Sequence, residues 1–331
     1  MKKKVLIAYT NSRNEEKRIA LELYNYLKKD RINVELLDCT PYFNFKRLFN
    51  IYKDVENLGK IINKHDFVIS TNYYINEAII KCKKKNIINS NIRIIYVFSN
   101  LSYSKYFKSL NNADYFAVNN NYLQKELIKK NVDKDKIIFI GAPTIDKNIK
   151  LESKELTLKK YSLNNNKPIY LMLANGQDYT FEYFKHLVKK NFDINIVFIS
   201  GNNKTLTNKC EKFVYDNDVK NVLIQDYTKD LYNIINISDI VITKPGTNIL
   251  FECAYFKKTT ILLPGLNLEE RKNSHYMIKN HYAINVTTPL NLIKKVKFSL
   301  KYKFIIKSIQ NKLDRISTVD NYKSIVDIIK R

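Results

Sequence analysis

The chain has no tryptophan and only six glycines and six prolines among its 331 residues. Glycine averages about 7% of ordinary proteins, so Gly59, Gly141, Gly176, Gly201, Gly246 and Gly265 stand against a composition that disfavours them. All but Gly59 follow an apolar, strand-like run, and these are places where a turn or a close backbone approach calls for glycine. The four cysteines, Cys39, Cys82, Cys210 and Cys253, are scattered without a C-x-x-C pair. This spacing indicates neither a disulfide framework nor a zinc site. The four histidines are equally dispersed, so metal chemistry has no support in ligand spacing. No apolar run approaches the roughly 20 residues that cross a membrane. The opening Met-Lys-Lys-Lys resembles the start of a signal peptide, but the apolar run Val5 to Ala8 is too short for its hydrophobic region. That run reads as a first buried strand of an intracellular, cytoplasmic protein.

What the chain does have is positive charge: 57 basic against 32 acidic residues, a net +25. One reading is an anionic partner. The other is the Lys, Asn, Ile and Tyr bias of an A+T-rich genome. Either way some attraction to an anionic lipid surface follows. A nucleic-acid role rests on charge alone, with no recognised module, and is not expected. With 45% hydrophobic residues the chain can build real cores, and its length suits two domains.

Strand-like and helix-like segments alternate nearly throughout, which predicts parallel sheets with helices on both faces. In the first half strands fit at 4–9, 33–37, 67–70, 92–98, 114–118 and 136–140, and helices at 15–29, 46–63, 75–85 and 121–130. The polar segment 143–167 reads as a linker. Strands then fit at 169–174, 195–200, 221–225, 239–243, 259–263 and 282–286, with helices between them and a helical tail over the last 40 or so residues. The expectation is an α/β protein of two doubly wound, Rossmann-like domains, 1–150 and 151–331 with the tail. Ligands of such sheets bind beyond the carboxyl ends of the strands, where the glycines sit.

Residues 239–252 are the most informative stretch. An apolar strand, Ile240 to Ile242, ends in Lys244-Pro245-Gly246, and an amphipathic segment begins at Thr247-Asn248 and carries Glu252. A helix starting just after a strand points free N–H groups and a positive dipole end at whatever docks there. Glycine admits a phosphate close to the backbone, and proline near a helix start gives up no needed donor. Glu252, about one and a half turns in, is within reach of a nucleotide sugar hydroxyl.

These residues resemble the C-terminal domain of GT-B glycosyltransferases of the family 28 type. That group includes diacylglycerol glycosyltransferases and the N-acetylglucosaminyltransferase of lipid II. Their hallmark Ser-Asp-x-x-x-Thr-Lys-Pro-Gly-Gly-x-Thr-x-x-Glu is matched by Ser238-Asp239, Thr243-Lys244-Pro245-Gly246-Thr247 and Glu252. Pro264-Gly265 and Glu269-Glu270-Arg271-Lys272-Asn273 stand where the family has Pro-Gly and Gln-Glu-x-x-Asn. Asn221 to Tyr227, and Lys129 to Gly141 with Pro143, resemble further family segments. The resemblance implies two domains facing a cleft and an inverting displacement from a UDP-sugar donor, with no cofactor beyond that substrate and no metal. The acceptor would be a lipid or lipid-linked glycan at the inner face of the cell membrane. It places Gly246 and Thr247 at the diphosphate, with Lys244, Asn248 and Asn273 also among the donor-binding residues. Glu252 would meet the ribose, Tyr227 the uracil, and Glu269 and Glu270 the donor sugar. Gly176 and Gln177 form the reduced glycine loop after the domain's first strand.

The chain departs from the family at three places. Thr247 and Ile249 replace the second Gly and the Thr of the phosphate loop, and Ala174-Asn175-Gly176-Gln177 has a single glycine. The N-terminal loop, Thr10 to Glu16, lacks the family's Gly-rich run and its histidine base. Register places Glu16 there. A carboxylate can act as base when burial raises its pKa; the other reading is an acidic first helical turn favoured by the dipole. The same fold also serves nucleotide-sugar epimerases and hydrolases, and the missing histidine fits a binding subunit that has lost catalysis. Tyr42 to Tyr52 reads as an aromatic, basic helix suited either to a membrane surface or to packing on its own domain.

Overall fold

The computed structural model describes residues 3–11, 14–43, 55–103, 113–142, 149–317 and 322–331. The chain divides into two compact units, Met1–Asp146 with Thr318–Arg331, and Lys147–Ser317.

In the first unit the elements are β1 (Lys4–Tyr9), α1 (Asn14–Lys29), β2 (Asn33–Asp38), α2 (Val55–Ile62), β3 (Phe67–Ser70), α3 (Tyr73–Lys84), β4 (Arg93–Val97), β5 (Tyr115–Val118), α4 (Asn121–Ile128) and β6 (Ile137–Phe139). The sheet runs β2-β1-β3-β4-β5-β6, every pair parallel. Its order reverses between β1 and β3, so that is where the connections diverge and leave a crevice. β1 and β3 are buried along nearly their whole length, as expected when helices cover both faces. One face packs Leu6, Val68, Ile94 and Phe116 under Ile75, Ile79 and Leu123. The other packs Val5, Ile7, Ile69 and Ile95 against Ile19, Leu23 and Leu27 of α1.

The second unit holds α5 (Lys154–Lys160), β7 (Ile169–Leu173), α6 (Thr180–Lys189), β8 (Asn195–Ile199), α7 (Lys204–Asp216), β9 (Val222–Gln225), α8 (Leu231–Ile237), β10 (Ile240–Thr243), α9 (Thr247–Tyr255), β11 (Thr259–Leu262), α10 (Leu268–Lys279), β12 (Ala283–Asn285), α11 (Pro289–Lys301), α12 (Lys303–Lys312) and α13 (Asp314–Ser317). Its parallel sheet runs β12-β11-β10-β7-β8-β9. The switch point lies between β7 and β10, which pair Ile240 with Tyr170 and Thr243 with Leu173. The loops after those two strands, Asn175-Gly176-Gln177 and Lys244-Pro245-Gly246, therefore flank one crevice.

Two boundaries differ from the sequence expectation. The segment 143–167 is not all linker: Ser153 caps α5 by accepting from the Leu156 N–H at 3.2 Å, and Thr157 and Leu158 are buried. The C-terminal tail is not all in the second unit. The last helix, α14 (Lys323–Lys330), places Ile325, Val326 and Ile329 in the same core as Val5, Ile19 and Leu23 of the first. Tyr322 begins that helix at φ 65° and packs edge-on against Tyr26, ring centroids 5.7 Å apart. A three-residue apolar stripe on eight residues needs an outside core, and the stripe itself does not say which one. Of the candidate membrane helix Tyr42 to Tyr52, residues 44–52 lie outside the described residues. No helix among the described residues is long and apolar enough to cross a membrane.

Candidate functional site

The crevice of the second sheet is built from the turn that follows β10. Gly246 is the residue before α9, with φ −70° and ψ 142°, and no side chain caps this helix. The N–H groups of Thr247, Asn248 and Ile249 have no acceptor within the helix, as in any first turn. They form the positive end of the helix dipole. A methyl group at Gly246 would meet nothing nearer than the Ile249 Cγ2 at 3.8 Å. Neither backbone conformation nor packing requires glycine here.

The other glycines separate by cause. Gly176, at φ 75°, and Gly201, at φ 75°, take a conformation other residues avoid. At Gly265 a Cβ would stand 2.8 Å from the Glu270 Cβ and 2.9 Å from the Arg271 nitrogen, so glycine lets this loop press onto α10.

Several side-chain bonds tie the walls of the crevice together. The Lys244 ammonium lies 2.8 Å from the Glu270 Oε1, and the Glu270 Oε2 accepts from the Leu266 N–H at 2.7 Å. Asn273 Nδ2 donates to the Pro245 carbonyl at 3.1 Å and to the Thr247 Oγ1 at 3.0 Å. The Tyr179 hydroxyl donates to the Pro264 carbonyl at 3.0 Å. Burial, with the Glu270 charge and Tyr183 adding to it, raises the Tyr179 pKa, so the phenol stays a donor. Asn175 Nδ2 reaches the Thr243 Oγ1 at 3.4 Å. The ends of β7, β10 and β11 and the start of α10 are thereby one braced assembly.

Within it two amide oxygens, Asn248 Oδ1 and Asn273 Oδ1, are buried without a hydrogen-bond partner. A buried unpaired acceptor costs on the order of 1–3 kcal/mol, and a hydroxyl-bearing ligand is the kind of group that satisfies it. Glu252 is 3% exposed and accepts from the Tyr232 hydroxyl at 3.3 Å. The neighbouring Cys253 thiol is pushed well up by burial, with Glu252 adding to it, and is chemically inert.

The sequence-derived candidates thus fall into groups. Lys244, Gly246, Thr247, Asn248, Glu270 and Asn273 come together. Glu270, 6% exposed, is engaged with Lys244 and the Leu266 N–H. Glu269 is the more accessible of the pair, in the same first turn of α10. Gly176 and Gln177 lie across the switch point, with Gln177 closing its turn onto the Ala174 carbonyl at 3.0 Å. Tyr227, 62% exposed, lines a separate cavity of about 430 Å³ with Lys204, Thr207 and Glu211 at the β9 edge. Sequence reasoning missed Tyr179 and Tyr232 and gave Asn175 no role. The Asn-Gly pair, with Asn175 at φ 49°, was the one local signal among them.

In the first unit Glu16 is 5% exposed, in the first turn of α1 beside the β1–β3 switch point. Its Oε2 accepts from Asn72 Nδ2 at 2.6 Å and from the Thr10 hydroxyl at 3.3 Å. It is a buried, tethered carboxylate, unlike an acidic residue placed on a solvated first turn. Among the described residues no three His, Cys, Asp or Glu side chains are grouped to hold a metal ion.

Two parallel-sheet, Rossmann-like α/β units, each with a crevice at its switch point, are the architecture of the GT-B fold. Residues 148–303, nearly the whole of the second unit, match the glycosyltransferase family 28 C-terminal domain. The chain is 27% identical over 228 residues to a processive diacylglycerol beta-glucosyltransferase of Staphylococcus haemolyticus, covering 68% of this chain. The match spans only 58% of that relative's length. Among solved structures, MurG of Acinetobacter baumannii superposes with a TM-score of 0.70 at 11% identity, covering 99% of both chains. UDP-GlcNAc 2-epimerase of Neisseria meningitidis bound to UDP-GlcNAc gives 0.64 at 14% identity, again covering 99% of both. At those identities the superpositions speak for the fold.

Proposed function

We propose that the protein is an inverting glycosyltransferase that moves a hexosyl group from a UDP-sugar to a lipid or lipid-linked acceptor. The observation that carries this reading is the uncapped start of α9 behind Gly246, where nothing in the protein needs glycine. The diphosphate docks on the N–H groups of Thr247, Asn248 and Ile249. Glu252 receives the ribose hydroxyls, and Glu269 and the free oxygen of Asn273 receive those of the sugar. Lys244 and Glu270 hold the cradle in shape. Glu16 takes the proton of the acceptor hydroxyl as its oxygen bonds to the anomeric carbon, and the bond to UDP breaks with its electrons going to UDP. The helix end stabilises the charge that develops on the departing diphosphate. The activated sugar brings its own leaving group, so the reaction calls for no further cofactor. The net charge of +25 suits a peripheral position on an anionic membrane.

UDP should raise the melting temperature of the wild-type protein, and Glu252→Ala should abolish that shift. No shift with UDP, or a full shift in Glu252→Ala, sinks the donor-site assignment. The likeness to a 2-epimerase fold favours one second reading, turnover of the donor alone. Incubation with UDP-GlcNAc and no acceptor separates the two: an epimer or free sugar supports the second reading, and an acceptor-dependent release of UDP the first.

A further inference from the structure

Asn72 stands at the carboxyl end of β3, opposite Glu16 across the switch point of the first sheet. Its Oδ1 caps α3, accepting from the Tyr74 N–H at 2.8 Å and the Ile75 N–H at 3.2 Å. The Ser70 hydroxyl donates to its backbone carbonyl at 2.8 Å. Because both capping donors face Oδ1, the amide cannot flip, and Nδ2 is obliged to point away from the helix. It points at the Glu16 carboxylate, 2.6 Å away, with the Thr10 hydroxyl beside it at 3.5 Å. Asn72 is 3% exposed and Thr10 is fully buried. The Thr71 hydroxyl donates to the backbone carbonyl of Glu16 at 3.2 Å, a further strut between the same two loops.

We propose that Asn72 is the positioning residue of Glu16, fixing the orientation in which its carboxylate accepts a proton. The physical argument has two parts. A hydrogen bond donated to the charged form favours that form. A donor whose own direction is locked by a helix cap imposes one orientation, whereas a free side chain would follow the carboxylate. The arrangement makes the α3 cap and the base a single unit. The proposal rests on Glu16 as base; it adds that the residue acting through Glu16 lies on a different loop.

Asn72→Asp tests it in the full-length protein. Aspartate caps a helix as well as asparagine, so the helix start is kept; the second buried carboxylate should lower the melting temperature, while its rise with UDP should stay near wild type. The donor is replaced by a like charge, so the Glu16 carboxyl, followed by NMR in protein labelled at the glutamate carboxyls, should titrate about one unit higher or more. In UDP release from UDP-glucose with diacylglycerol vesicles, kcat should fall by about tenfold or more at pH 7. The acid limb of kcat/KM should move upward with the Glu16 titration. Asn72→Ser, which keeps a capping hydroxyl without reaching Glu16, should lower kcat with a smaller move of the limb. An unchanged Glu16 titration and acid limb in Asn72→Asp would overturn the proposal and reduce Asn72 to a helix cap. Wild-type turnover in Glu16→Gln would instead overturn the base assignment itself, and the proposal with it.

Discussion

The Lys244 ammonium lies 2.8 Å from the Glu270 carboxylate, joining the turn before α9 to the first turn of α10. The Glu270 side chain is 8% exposed and that of Lys244 21%, so this pair is shielded far more than a surface ion pair. Glu270→Gln leaves the ammonium half-buried beside a neutral amide and weakens the bond from the Leu266 N–H. The expected loss is about 1–3 kcal/mol of stability. UDP binding should weaken with it, because the proposed diphosphate cradle loses a brace. Urea unfolding and a UDP titration of the same variant check both halves.

Gly246 and Gly265 make opposite predictions. Gly246→Ala places a methyl group in open space at an ordinary φ, so stability should change by less than about 0.5 kcal/mol, while UDP affinity falls by about tenfold or more as the methyl group blocks the phosphate. Gly265→Ala drives a methyl group into the backbone of α10, 2.9 Å from the Arg271 nitrogen, and should cost about 1–3 kcal/mol. Paired melting curves and UDP titrations distinguish the two. A Gly246→Ala protein that binds UDP normally would show that phosphate approach is not what calls for glycine at this position.

Gly176 holds φ at 75° with no atom near its missing side chain. Gly176→Ala should therefore cost about 1 kcal/mol through backbone strain alone. Gly176→Asn should cost less, since asparagine tolerates that conformation. Chemical denaturation of the two variants gives the order directly.

Asp230 clasps α5 to α8. It accepts from the Tyr161 hydroxyl at 2.7 Å and from Asn233 at 2.6 Å, and lies 2.8 Å from the Lys160 ammonium. Burial alone would raise its pKa, but the bonds from Lys160, Tyr161 and Asn233 outweigh it, and the carboxyl sits below its ordinary 3.8. A depressed folded value means stability that is complete above the unfolded value and is lost as pH falls through the folded one. The wild-type protein should lose stability below about pH 4 more steeply than Asp230→Asn. Melting temperatures from pH 7 to pH 3 test this; parallel curves would contradict it.

Much of this architecture was legible because parallel strands buried on both faces read as short apolar runs, such as Ile169 to Leu173 and Ile240 to Thr243. The turn between β10 and α9 was legible because Lys-Pro-Gly and Glu are close together in the chain. What escaped was whatever depends on two distant segments meeting. Tyr179 and Pro264 are far apart in sequence, and nothing in either marks a hydrogen bond between them. Glu16 could be read either as a base or as a solvated helix start, because its partner Asn72 lies 56 residues away. Helix α14 shows an apolar stripe, but a stripe does not name the core it joins. Glu270 looked like a sugar ligand beside Glu269, and only the position of Lys244 distinguishes the two carboxylates.

A crystal structure of the protein with UDP tests the central claim most directly. The account predicts the diphosphate on the N–H groups of Thr247, Asn248 and Ile249, with the ribose hydroxyls at Glu252. UDP bound away from the start of α9, or with its ribose remote from Glu252, would contradict it.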